Sequence, residues 1–90
     1  MDKERSKNVT ENAQRDLGHA IREWRTRHRY TQDMAAKISG IPRSSLRRLE
    51  IGEGAKSINF KNLEKLARIL NMTTIELSEK YFSEDNKKDQ

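Results

Sequence analysis

Arg43, Ser44, Arg47 and Arg48 fall within one run, RSSLRRLE, whose apolar positions are Leu46 and Leu49. If the run is helical, the two leucines, three residues apart, share a face. At about 100° per residue, Ser44, Arg47 and Arg48 then turn away from it, with Arg43 on the flank. Guanidinium and hydroxyl groups on an exposed helix face suit phosphate oxygens and base edges, because the forked arginine donor matches the O6 and N7 acceptors of guanine. The rest of the chain holds no competing chemistry. His19 and His28 are nine residues apart on one predicted helix, too far for a ligand pair, and no cysteine joins them, so no metal or cofactor is expected. Ser44 and Ser45 have no histidine nearby to activate them, and the carboxylates are scattered, so no enzyme is expected either. The Gly52-Glu53-Gly54 segment fails as an NTPase phosphate loop, since no Gly-Lys-Ser/Thr follows and no strand precedes it.

The arginine run is positioned by the stretch around it, Thr31 to Gly52. Thr31 is a good N-cap, and Asp33 lies in the following first turn, where the helix dipole favours a carboxylate. Ala35, Ala36 and Ser39 are small and let a second helix cross closely. Gly40 suits the left-handed conformation that ends one helix and redirects the chain, and Pro42 presets φ for a new first turn. The pattern predicts helices near 32–39 and 43–50 with a tight turn between them.

Gln32, Ala36, Gly40, Ile41, Leu46, Leu49 and Glu50 stand at the spacing of the helix-turn-helix of the phage repressor and Cro-like (XRE) family, which the chain resembles from about Leu17 to Leu77. The resemblance implies an all-α, compact five-helix lambda-repressor-like domain, with the N-terminal half of the third helix entering the DNA major groove. On that basis Arg43, Ser44, Arg47 and Arg48 are the expected base contacts, Arg48 being placed for phosphate as well. Gln32, Ser45, Lys56 and Arg29 are the expected phosphate contacts. The family also pairs an arginine of the first helix with the glutamate ending the recognition helix, here Arg25 with Glu50. Three positions depart from the pattern: Ala35 where leucine is usual, Pro42 where a serine or threonine cap is preferred, and Ile51 in place of a polar residue.

Composition agrees with a small domain of this kind. Ninety residues, 32% hydrophobic and 37% charged, make one domain with a small core. The absence of cysteine excludes disulfides and thiolate metal sites and fits a reducing cytoplasm. The N-terminus lacks the apolar core of a signal peptide, and no apolar run reaches the roughly 18 residues a membrane helix needs. The expected location is the cytoplasm of a bacterium, or of one carrying phage genes, with no membrane contact. The net charge of +5 falls wholly on residues 15–56, where ten basic groups face five acidic ones, while the flanking segments balance. A basic excess coinciding with the arginine-bearing helix favours a polyanion partner.

In chain order, residues 1–11 are polar and aperiodic and read as a flexible arm. The first helix is expected from about Thr10–Asn12 to His28, with Ala13, Leu17, Ala20, Ile21 and Trp24 facing the core. After the recognition helix, Gly52 and Gly54 bracket a loop that brings Lys56 toward a phosphate. Asn59 caps a fourth helix, near 60–70, with Phe60, Leu63, Leu66, Ala67 and Leu70 as its core stripe. Thr73 and Glu76 form a capping box opening a fifth helix, near 74–82. Ile75, Tyr81 and Phe82 give it more apolar surface than one neighbour covers, which points to a homodimer interface. The globular domain is expected over 12–82, with residues 83–90 a disordered charged tail.

The resulting expectation is a sequence-specific, dimeric transcription regulator on a palindromic double-stranded DNA operator, of the phage-repressor, mobile-element, restriction-modification-controller or antitoxin type. The rival is a protein-interaction module of the same fold, binding a toxin or RNA polymerase, with DNA secondary. A plain helical hairpin with a solvated basic face is the reading without function.

Overall fold

The computed structural model describes the backbone of residues 2–82 and the side chains of 11–82. The tail expected at 83–90 lies outside the described residues. Among the described residues five α-helices follow one another: α1 (Asp2–Arg27), α2 (Gln32–Ser39), α3 (Arg43–Glu50), α4 (Phe60–Ile69) and α5 (Thr74–Leu77). A 3-10 turn, Ala55–Ser57, lies between α3 and α4, and α5 runs directly into a π-helical turn, Ser78–Phe82. No strand occurs among the described residues.

The short helices end where their capping chemistry dictates. Thr31 Oγ1 accepts from the Met34 amide at 3.1 Å, Asn59 Oδ1 from the Asn62 amide at 2.8 Å, and Thr73 Oγ1 from the Glu76 amide at 3.0 Å. Glu76 returns the favour by accepting the Thr73 amide at 2.9 Å, completing the capping box. Each bond satisfies a first-turn N–H that the helix itself leaves without a partner.

The core is one cluster contributed by every helix: Leu17 and Ile21 of α1, Ala35 of α2, Leu46 and Leu49 of α3, Leu66 and Ala67 of α4, and Leu77 of α5. Ile41 and Ala55 join it from the connections. Trp24 packs half-buried against its edge, as its spacing from Leu17 and Ile21 predicts. α1 packs on α3 and on the π turn, α2 on α3 and α4, and α4 on α5.

Three expectations are corrected. The first helix does not begin at Thr10–Asn12: α1 starts at Asp2. Lys3, Glu4, Arg5, Lys7 and Glu11 are good helix formers, and neither glycine nor proline interrupts them, so the cap-like residues Thr10 and Asn12 are carried inside the helix. Phe60 is not core. It opens α4, one turn ahead of Leu63 where the packing begins, and is 63% exposed.

The third correction concerns the apolar surface of the last helix. Tyr81 and Phe82 are half-buried against the chain's own core, and only Ile75 stays prominent, at 67% exposure. The i→i+5 winding of the π turn departs from the 3.6-residue period assumed for a helix over 74–82.

Candidate nucleic-acid interface

α3 is held at three places. At its start the chain turns through Gly40, which takes the left-handed conformation at φ 81° and donates its amide to the Ala36 carbonyl at 2.8 Å. Ser39 Oγ accepts the Ile41 amide at 3.1 Å, and Lys65 Nζ of α4 donates to the Gly40 carbonyl at 3.0 Å, so the turn is braced from both sides. Along its length Leu46 and Leu49 are buried at 1% and 3% exposure and anchor it in the core. At its end Glu50 accepts two parallel bonds from Arg25, Nε to Oε2 at 2.7 Å and Nη2 to Oε1 at 3.1 Å. The remaining Arg25 nitrogen, Nη1, donates to the Tyr30 carbonyl at 3.3 Å. The hydrogen bonds that Arg25 donates to Glu50 hold its guanidinium above its ordinary pKa, with burial opposing this and the carboxylate charge adding to it.

Pro42 occupies the N-cap of α3, one place earlier than the first-turn position expected for it, with φ −55°, ψ 142° and no side-chain cap. The departure from a serine or threonine cap therefore leaves the first amides of α3 without an internal side-chain acceptor. Ile51, the other end-position departure, forms the C-cap and is 63% exposed, while Ala35 is fully buried in the core.

The face of α3 opposite the two leucines carries Arg43, Ser44, Arg47 and Arg48, all exposed. Their electrostatic settings differ. Arg43 Nη1 lies 3.3 Å from Asp33 Oδ1 of α2, and Arg48 Nε lies 3.8 Å from Glu53 Oε1. Both pairs are more than half exposed and are worth about 0–1 kcal/mol, so a phosphate or base edge can displace either carboxylate. Among the described residues Arg47 is in no such pair.

The expected phosphate contacts flank this face. Gln32 is the first residue of α2, half-buried. Arg29 sits three residues before it, exposed and left-handed at φ 61°. Lys56 projects from the 3-10 turn after α3 and is exposed. Ser45 joins Ser44, Arg48, Ser57, Asn59 and Asn62 around a polar cavity of about 220 Å³ between α3 and the start of α4. Sequence reasoning missed the amides and Ser57 of this cavity, because their proximity to α3 depends on how α4 crosses it. It also missed the Tyr30 carbonyl and the pairing of Asp33 with Arg43.

His28 is exposed but occupied locally. Its Nδ1 lies 2.9 Å from the Trp24 carbonyl oxygen and its ring stacks on Tyr30 at 5.1 Å. Tyr30 in turn meets Trp24 edge-on at 5.4 Å, an aromatic cluster closing the end of α1 beside Arg25.

Among the described residues no group of three or more histidine or carboxylate side chains is arranged to hold a metal ion. No helix there is long and apolar enough to cross a membrane. No curated protein and no solved structure matches the chain significantly. A helix-turn-helix family model matches residues 21–77, spanning the Arg25–Glu50 pair, both helices of the turn and the buried Leu77. Through this match, and with α2 and α3 crossing at a left-handed glycine beneath an arginine-rich outer face, the chain belongs to the XRE-type helix-turn-helix family of DNA-binding regulators.

Proposed function

We propose that the chain acts as a sequence-specific transcription regulator that places α3 in the major groove of a palindromic operator and binds there as a homodimer. The observation that carries this reading is the combination on α3 of an inner face locked by Leu46, Leu49 and the Arg25–Glu50 fork with an outer face of Arg43, Ser44, Arg47 and Arg48. A recognition helix needs both, since base readout depends on donors held in a fixed frame. In this reading Arg47 and Ser44 read base edges, and Arg43 joins them on leaving Asp33. Arg48 is shared between base and backbone. Gln32, Arg29, Ser45 and Lys56 grip phosphates on either side.

The proposed dimer contact centres on Ile75, the most exposed large hydrophobic among the described side chains, with the half-buried Tyr81 and Phe82 beside it. Two copies so joined would present their recognition helices about 34–36 Å apart, one turn of DNA. Selection of bound duplexes from a random pool tests the reading: a palindromic consensus with half-sites one helical turn apart supports it, and failure to enrich any sequence opposes it.

A second reading, a module that also docks a toxin or RNA polymerase, draws on Met34 and Ile38. These lie one turn apart on α2 and are 44% and 53% exposed. Double substitution of these two residues with serine separates the readings, since it should spare operator binding and abolish only partner-dependent output.

A further inference from the structure

Gly18 and Arg25 stand seven residues apart on α1, two helical turns, and so lie on one face about 10.5 Å from each other. Both meet the same end of α3. A methyl group built on Gly18 would lie 2.5 Å from the Glu50 carbonyl oxygen and 2.8 Å from that of Leu49. Real Cβ atoms do not approach backbone that closely, and neither carbonyl is a flexible group that can swing aside. The backbone of α1 therefore rests on the last turn of α3 with no side chain between them, while Arg25 grips the Glu50 side chain farther along.

Two points on one rigid helix define both the distance and the tilt of what they hold. With one of them gone, the last turn of α3 is held to α1 at a single place. We propose that Gly18 is a positioning residue for sequence discrimination: it sets, together with Arg25, the angle at which α3 presents Arg43, Ser44 and Arg47. The inference rests on reading α3 as the recognition helix. A side chain at residue 18 would lever the last turn of α3 outward about the Arg25–Glu50 fork, because packed interiors transmit such a shift rather than absorb it. Base-edge hydrogen bonds fail under small misalignments. Phosphate contacts made by long side chains such as those of Lys56 and Arg29 adjust, so the non-specific, salt-dependent part of binding survives.

The test uses Gly18→Ala in the full chain, with duplexes selected by the unaltered protein and scrambled duplexes of the same length. Helicity and melting are followed in parallel, with trimethylamine N-oxide added where needed to keep the variant folded. The comparison variant is Ile69→Ala on α4, an element that packs on α2 and α5 and weakens the fold without touching the α1–α3 contact. Gly18→Ala should lower the ratio of selected to scrambled affinity at least tenfold, while the scrambled affinity and its salt slope stay unchanged. Ile69→Ala should keep the ratio. A folded Gly18→Ala with the unaltered ratio overturns the proposal, as does a variant that cannot be folded under any of these conditions, since the glycine would then serve the fold alone. If the unaltered protein selects no sequence, the failure lies with the recognition-helix reading itself and takes this proposal with it.

Discussion

Arg25 and Glu50, twenty-five residues apart in the chain, meet as a two-pronged pair in which Nε and Nη2 reach the two carboxylate oxygens at 2.7 and 3.1 Å. The side chains are 16% and 6% exposed, so the pair is nearly shut off from water. It joins the last turns of α1 and α3, and its value is geometric more than energetic, because desolvation offsets most of the attraction in a buried pair. Removing one partner is another matter. Arg25→Ala leaves the Glu50 carboxylate buried without a counter-ion and should destabilise the domain by about 3 kcal/mol, the low end for such a loss since some solvent still reaches the site. Arg25→Lys keeps the charge but not the fork, and should cost less stability while still loosening α3. Chemical denaturation of both variants, read by helicity, checks the order; equal stability of Arg25→Ala and the unaltered chain would show the pair to be incidental.

Leu46→Ala and Leu49→Ala each remove a buried contact between α3 and the layer beneath it. Each should lower stability by about 2–5 kcal/mol, the spread depending on how far the small core collapses into the space. Thermal melts settle this, and unchanged midpoints would mean that α3 is not anchored as described.

Arg29 offers a case where stability and binding should part. Its left-handed backbone, φ 61°, is strained for a side chain with a Cβ. Arg29→Gly should therefore stabilise the fold by about 0.5–1 kcal/mol. The same change should weaken DNA binding if Arg29 grips a phosphate. Melting and a salt titration of binding on one sample test both halves, and a stabilised variant with undiminished affinity would remove Arg29 from the phosphate set.

The dimer claim rests on Ile75. Ile75→Asp places a charge on the proposed interface without entering the core, whereas Phe82→Asp would disturb packing as well, since Phe82 lies against the chain's own core. Sedimentation should show the unaltered protein as a dimer, at least on operator DNA, and Ile75→Asp as a folded monomer that binds weakly. A monomeric unaltered protein on its operator would contradict the interface.

The elements that position the site were largely readable from local chemistry. Thr31, Asn59 and Thr73 with Glu76 announce helix starts by side chains that reach only three residues forward, and Gly40 announces a turn by the one conformation it favours. Leu46 and Leu49 give the inner face of α3 by spacing alone. The Arg25–Glu50 pair was reached by family resemblance, since nothing local relates residues so far apart. What stayed hidden depends on long-range approach or on an altered period. The role of Gly18 was not legible, because the carbonyls it meets on α3 lie more than thirty residues along the chain. The half-burial of Tyr81 and Phe82 against the chain's own core was not readable, because a π turn has no sequence signature comparable to a cap. The start of α1 was missed because cap-like residues also occur inside helices.

The central claim is that α3 reads sequence through Arg47, the outer-face arginine in no ion pair among the described residues. The most direct measurement is the affinity of Arg47→Ala for the selected operator and for each single-base variant of it, at several salt concentrations, beside Lys56→Ala. Arg47→Ala should lose about 1–3 kcal/mol on the operator and become indifferent to one base pair, while Lys56→Ala should weaken every sequence alike and reduce the salt slope by about one. A uniform loss across all sequences for Arg47→Ala would place that arginine on the phosphate backbone and contradict the account.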